Sequence, residues 1–264
     1  MNGQIIIIEG IMCSGKSTFC RSILHHSRAL LGAAARVDVL LEHVDSVFLQ
    51  AYIADQRRYA FDFQIYMARN RIETLRRAQR LAAAGHTVVI DRGLIGDIVF
   101  ALMHRSKGNF TTEQWNIYGS VISDAFPSFA PNSLIDSDTI AAVAAGGSSC
   151  RAIHQKNYTE DALPDARYVV VHLKTTAERA FARLQERANP AEVAGYTLDY
   201  FSSLKTHYDF VLDEFAKQSM AVVDIDYDAN ASVDASSGLL SETDTCAVWH
   251  LIFTPDAIAF SNAS

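Results

Sequence analysis

Gly10, Gly15, Lys16 and Ser17 stand in the spacing G-x-x-x-x-G-K-[ST], within "IIIIEGIMCSGKSTFC". That pattern cradles the phosphates of a nucleoside triphosphate. Its glycines let backbone N–H groups approach phosphate oxygens closely and take unusual dihedrals. The helix that follows points its positive end at the same anion. Lys16 then reaches the β- and γ-phosphates, and the Ser17 hydroxyl holds Mg²⁺. The whole loop, Gly10, Ile11, Met12, Cys13, Ser14, Gly15, Lys16, Ser17 and Thr18, is expected around the ATP phosphates.

The acceptor side is written in short polar insertions. Glu42 ends the second apolar run, in "VLLEHV". Carboxyl ends of strands face the ligand crevice of an α/β sheet, and a carboxylate there is placed to take a proton from an attacking hydroxyl. Gln64, Met67 and Arg71 share one face of a long helical segment over two turns. An amide on that face can pair with the edge of a base by accepting and donating at once. The competing reading of the stripe is an ordinary solvated helix face. Asp91-Arg92 closes the third apolar run, where Asp91 assists the metal and Arg92 neutralises charge on a moving phosphoryl group. Asp97 pairs with Arg71 and helps it read a base; a purely structural ion pair is the alternative. Arg183 and Arg187 lie four apart on one helix face, as in a lid closing over phosphate.

The elements that must carry these groups follow from periodicity. Residues 5–8 form a continuous β-branched run, as a strand buried on both faces of a parallel sheet does. Further strands are expected at 37–41, 87–90, 168–173 and 220–225. Helices are expected at 17–31, 59–84, 95–104, 112–124, 177–188 and 198–217. Strands alternating with helices predict an α/β, doubly wound sheet. Residues 128–164 read as a long insertion around "AAVAAGGSS". Residues 231–264 are rich in Ser, Ala, Asp and Thr; their one apolar cluster, 248–253, reads as a final strand or a loosely attached tail.

Composition removes several classes. The formal net charge is −7, which argues against a general grip on nucleic acid. No apolar run approaches the ~18 residues of a membrane span, and no signal peptide is read before the first strand. Cys13, Cys20, Cys150 and Cys246 have no C-x-x-C spacing and read as reduced thiols in a cytoplasmic protein. There is no N-K-x-D guanine-reading motif of a switch GTPase, which leaves small-molecule kinases in front.

Five segments in order resemble the deoxynucleoside kinase family. "FDFQIY" is similar to its F-x-F-Q-x-Y helix, "DRGLIGD" to its E-R-S-x-x-x-D segment and "TTEQWNIY" to its T-E-x-W-x-x-Y helix. "LKTTAERAFARLQER" resembles its arginine lid, and "YTLDYFSSLKTHYDFVL" the stretch after it. The resemblance implies a P-loop kinase fold with a five-stranded parallel sheet flanked by helices and a helical lid. It implies a kinase domain over residues 1–230, interrupted by 128–164, and a divergent tail at 231–264. It implies ATP with Mg²⁺ as donor, a deoxynucleoside as acceptor and a homodimer, with neither nucleic acid nor membrane as a partner.

Roles carry over with the motifs. By resemblance Glu42 activates the sugar 5′-hydroxyl, Arg92 steers it, and Gln64 reads the base in a pocket that includes Phe63, Phe100 and Met67. Tyr52 and Glu192 resemble the pair holding the sugar 3′-hydroxyl. Arg71 and Asp97 match the deoxycytidine and deoxyguanosine branches, which favours deoxycytidine or a purine deoxynucleoside over thymidine. The chain departs from the family at several points. His43 follows Glu42 where the family has Pro, and Val47 and Phe48 stand near a missing Trp. Tyr52 is offset by one residue, Asp91 replaces Glu, and Asn189 replaces a further lid arginine. The loop at 226–232 and the tail do not match. The rival readings are a nucleoside monophosphate kinase of the thymidylate type, which should meet the acceptor phosphate with a cationic group and not with a carboxylate such as Glu42, and a non-catalytic nucleotide binder.

Overall fold

The computed structural model describes residues 3–32, 36–129, 167–217, 222–230, 233 and 236–253. Most of the insertion read at 128–164 and parts of the tail read at 231–264 fall outside those residues.

The sheet is built from β1 (Gln4–Glu9), β2 (Val37–Leu40), β3 (Thr87–Asp91), β4 (Arg167–Lys174) and β5 (Val222–Asp226), in spatial order β2-β3-β1-β4-β5. Every pairing is parallel, with Ile7 opposite Ile90 on one side and Val170 on the other. Each expected strand is therefore present. β1 is central, so its four isoleucines are buried on both faces. Side chains alternate across a strand. Ile5 and Ile7 accordingly join one apolar cluster, and Ile6 and Ile8 join another behind the sheet.

The first cluster is roofed by α3 (Gln56–Ala83), α4 (Leu94–Ser106), α5 (Thr112–Ala125), α6 (Ala177–Arg187), and α8 (Leu198–Lys217). The second is covered by α1 (Lys16–Leu31) and the C-terminal α10 (Glu242–Phe253), which contributes buried Val248 and Trp249. Each fully buried isoleucine of this kind contributes about 1.5–3 kcal/mol.

Three helices were not legible as such. α2 (Ser46–Ala54) is capped by Asp45, whose carboxylate accepts the Phe48 N–H at 2.8 Å. α7 (Pro190–Gly195) starts at a proline behind an Asn189 cap. α10 corrects the reading of 248–253 as a final strand or a loose tail. The segment runs as one helix, and burial of Val248 and Trp249 in one apolar cluster with Phe19 and Ile23 holds it onto α1. A one-turn α9 (Tyr227–Asn230) follows β5 directly.

Candidate active site

All the singled-out groups except the lid residues, Tyr52 and Phe63 sit at or near the carboxyl ends of β1, β2 and β3, where strand order reverses around β1. The loop after β1 has positive φ at Gly10 (144°), Cys13 (59°) and Gly15 (99°). At Gly10 a Cβ would lie 2.8 Å from both the Leu173 carbonyl and Ser14 Oγ; at Gly15 it would run into the Tyr227 ring. Glycine is thus required at both ends of the loop for conformation and for room. Cys13 adopts the left-handed region without that freedom, a strained geometry of the kind found at ligand clamps.

Lys16 is folded back over its own loop. Its Nζ donates to the Gly10 carbonyl at 2.9 Å, the Ile11 carbonyl at 2.6 Å and Ser14 Oγ at 3.3 Å. Burial, and then the Arg92 charge, push its pKa down to about 8 against the pull of Asp91, Glu42 and Glu9. Ser17 Oγ donates to Asp91 Oδ2 at 2.5 Å, while Asp91 Oδ1 is buried without a hydrogen-bond partner among the described residues. A hydroxyl beside an unmet carboxylate oxygen is the oxygen-donor chemistry that suits Mg²⁺. No cluster of three or more His, Cys, Asp or Glu side chains suited to a metal occurs among the described residues. Such an ion would draw the rest of its shell from phosphate oxygens and water.

The acceptor side is a buried charge array. Arg71 donates from one nitrogen to Asp97 and from the other to Glu42. Tyr118 closes the second Asp97 oxygen at 2.7 Å, and Gln64 Nε2 donates to the Asp97 carbonyl at 3.0 Å. Gln64, Met67 and Arg71 are all buried, so the solvated-face alternative for this stripe fails. Glu42 also lies 3.5 Å from Arg92 Nε. Burial alone would raise the Glu42 pKa; Arg92, Arg71 and Lys16 together outweigh it and leave the carboxylate below its ordinary range. Burial works against the Arg71 charge in turn, and Asp97 and Glu42 overcome it.

Arg92 projects from a residue with φ of 67°, straight after β3. Phe100, expected around the base, lies instead against its guanidinium, 5.0 Å from the ring centroid. Phe63 stacks on Tyr52 at 4.6 Å and meets Phe48 edge-on at 5.3 Å, forming an aromatic wall. Tyr52 and Glu192, read together as holders of a sugar hydroxyl, have separate partners here. The Tyr52 hydroxyl lies 2.8 Å from His104 Nε2 and 3.1 Å from Tyr200 Oη, whereas Glu192 pairs with Arg187. Tyr52 thus meets α4 through His104 and α8 through Tyr200. Burial holds His104 neutral, at about 3, reinforced by Lys107 and His207.

The lid arginines are held by carboxylates. Arg183 pairs with Asp228 at 2.6 Å and donates to the Cys13 carbonyl at 3.5 Å. Asp228 in turn accepts from Thr175 at 2.5 Å. Nothing in the sequence signalled Asp228, because its partners lie some fifty residues away. Glu9 was also missed, although a carboxylate closing an all-apolar strand just before Gly10 was a visible anomaly. Tyr118 stood inside the quoted "TTEQWNIY", and Tyr208 inside the segment after the lid.

The fold and this loop define a P-loop kinase architecture. The deoxynucleoside kinase family profile matches residues 6–139, about half of the chain, and the protein belongs to that family. A deoxyadenosine kinase of Dictyostelium discoideum is 29% identical over 119 residues, which cover 45% of this chain and 44% of that protein. The match thus spans less than half of that relative's length. Two structures of the deoxyadenosine kinase from M. mycoides share the fold. The one with bound dATP gives a TM-score of 0.59 at 19% identity over 95% of this chain and 100% of the other. The one with products dCMP and a flexible dCDP bound gives 0.58 at 17% identity, over 94% and 97%.

Proposed function

We propose that the protein transfers the γ-phosphoryl group of ATP to the 5′-hydroxyl of a deoxynucleoside, with deoxycytidine or a purine deoxynucleoside favoured over thymidine. The observation that carries this reading is Glu42, a carboxylate suspended between Arg71 and Arg92 within electrostatic reach of Lys16. A monophosphate acceptor would bring two further negative charges to that carboxylate, which disfavours the thymidylate-type rival.

In this reading Glu42 takes the proton of the 5′-hydroxyl as its oxygen attacks the γ-phosphorus. The bond to the bridging oxygen breaks, and ADP departs. A base with a depressed pKa is ionised at neutral pH and receives the proton late, which suits a loose transition state. Arg92 steers the hydroxyl and meets the developing charge. Lys16 and the backbone of residues 10–18 hold the donor phosphates, joined by Arg183 and Arg187 once they leave Asp228 and Glu192. Ser17 and Asp91 would hold Mg²⁺, which when bound neutralises phosphate charge. Gln64 and Arg71 face the base, with Asp97 fixing Arg71 and with Met67 and the Phe63–Tyr52 stack as apolar walls. Glu192 remains the candidate for the sugar 3′-hydroxyl after release from Arg187. An arginine at position 71 resembles the deoxycytidine and deoxyguanosine branches of the family, and the name of the Dictyostelium relative supports a purine substrate. The same reading makes the protein a cytoplasmic homodimeric salvage enzyme, with the catalytic domain at 1–230 and a divergent tail at 231–264 whose helix α10 buttresses α1.

The test is turnover of ATP·Mg²⁺ with deoxycytidine, deoxyguanosine, deoxyadenosine, thymidine and thymidine monophosphate, in the wild type and in Glu42→Gln. The expected result is nucleoside phosphorylation, with kcat lowered ~10²-fold or more in the variant and ATP binding retained. Turnover of the monophosphate alone, or an active variant, overturns the reading.

A further inference from the structure

Glu9 is fully buried at the end of β1, one residue before the phosphate loop, and no role above uses it. Its Oε1 accepts the backbone N–H of Gly93 at 2.9 Å and of Gly96 at 3.0 Å. Its Oε2 accepts the hydroxyl of Tyr208 at 3.3 Å. The same Tyr208 oxygen accepts a hydrogen bond from Arg92 Nη1 at 2.5 Å. A tyrosine hydroxyl both accepts and donates, so one oxygen ties the arginine to the carboxylate. The Arg92 guanidinium also lies 6.0 Å over the Tyr208 ring. The His172 ring lies nearly parallel to the Tyr208 ring at 6.2 Å and is itself hydrogen-bonded to Asp224.

The surroundings are shaped to admit this chain. A Cβ at Gly96 would lie 2.5 Å from Glu9 Oε2 and 2.6 Å from Tyr208 Oη; at Gly93 it would lie 2.7 Å from Ile7 Cγ2. Gly96 thus leaves space that Glu9 and Tyr208 fill, and Gly93 leaves space for Ile7 beneath the Glu9 carboxylate. Arg92 itself sits in the left-handed region, with its N–H on the Ile8 carbonyl at 3.0 Å. A strained backbone and a long side chain need an external anchor to define one rotamer, and Tyr208, contributed by α8, supplies it.

We propose that Tyr208, backed by Glu9, is the positioning residue that holds Arg92 in register with the phosphoryl group in flight. The inference rests on the role assigned to Arg92 above. Tyr208 acts through Arg92 and does not itself meet the substrate.

Tyr208→Phe keeps the ring, its face toward Arg92 and the stack on His172, and removes only the hydroxyl. With the wild type turning over, kcat is expected to fall about tenfold, the loss that one charge-assisted hydrogen bond to a transition-state group brings. The nucleoside KM, the ATP Kd and the melting temperature are expected to stay near wild type. Glu9→Gln is expected to lower kcat alone but to add nothing in the Tyr208→Phe background, since both act through one arginine. Arginine-labelled NMR gives a readout independent of turnover. The Arg92 Nη protons are expected to be resolved and slow to exchange in the wild type and averaged in Tyr208→Phe. Unchanged kcat in Tyr208→Phe, equal losses in kcat and ATP binding, additive losses with Glu9→Gln, or unaltered Arg92 resonances overturn the proposal. A wild type that phosphorylates no nucleoside refutes the kinase reading instead, and the NMR comparison then decides by itself whether Tyr208 orders Arg92.

Discussion

Donor binding should be linked to a proton at Lys16. In the free protein its ammonium is buried among carbonyls and shares the site with Arg92, which together bring its pKa to about 8. A bound triphosphate offers the Lys16 ammonium anionic oxygens in exchange for those carbonyls and favours the charged form. Binding then takes up a proton wherever the free lysine is partly neutral. The sign follows directly: neutral lysine grows with pH while ATP prefers the ammonium, so affinity falls as pH rises through 8. With that value, uptake is about half a proton per site at pH 8 and about nine tenths at pH 9, and Kd rises roughly fivefold over that unit. The window lies above the second phosphate ionisation near ~6, so the ligand's own titration contributes little. The assay is isothermal titration calorimetry of MgATP at several pH values, in paired buffers of different ionisation enthalpy. Lys16→Met should bind more weakly with a flat pH dependence over the same window. A wild type with no proton uptake between pH 7.5 and 9, or an uptake that survives Lys16→Met, refutes the assignment.

Two further outcomes test other parts of the molecule. Arg71→Met should raise the thymidine-to-deoxycytidine kcat/KM ratio by about tenfold or more, because the acceptor N3 of cytosine loses a guanidinium donor that the protonated N3 of thymine cannot use; an unshifted ratio in a panel of nucleosides removes Arg71 from base selection. Trp249→Ala should cost about 3–5 kcal/mol in denaturant unfolding, since the side chain is buried beside Val248, Phe19 and Tyr227; a loss below ~1 kcal/mol would mean α10 does not belong to the core.

The family's short segments are local in sequence, and local sequence was enough to find them. The phosphate loop announced itself because backbone approach to phosphate demands glycine at set intervals, whatever surrounds it. The β-branched run at 5–8 announced a central strand because a strand covered on both faces cannot alternate with polar residues. Arg71 and Asp97 could be paired in advance from the resemblance to the deoxycytidine and deoxyguanosine branches. What sequence could not supply was where long side chains find partners. Tyr52 looked available for a sugar, yet its position on α2 turns it onto His104 and Tyr200. Glu42 and Asp97 converge on one guanidinium, although they sit on opposite sides of α3 in the chain. Val248 and Trp249 looked peripheral until α10 packed them behind the sheet. Glu9, Tyr208 and the two glycines between them come from β1, α8 and the start of α4. Residue type and spacing therefore determined the fold class, the phosphate loop and many of the site's charged groups, Glu9 and Asp228 excepted. Packing decided which charges neutralise which, because electrostatic pairing depends on distance across elements that no sequence interval records.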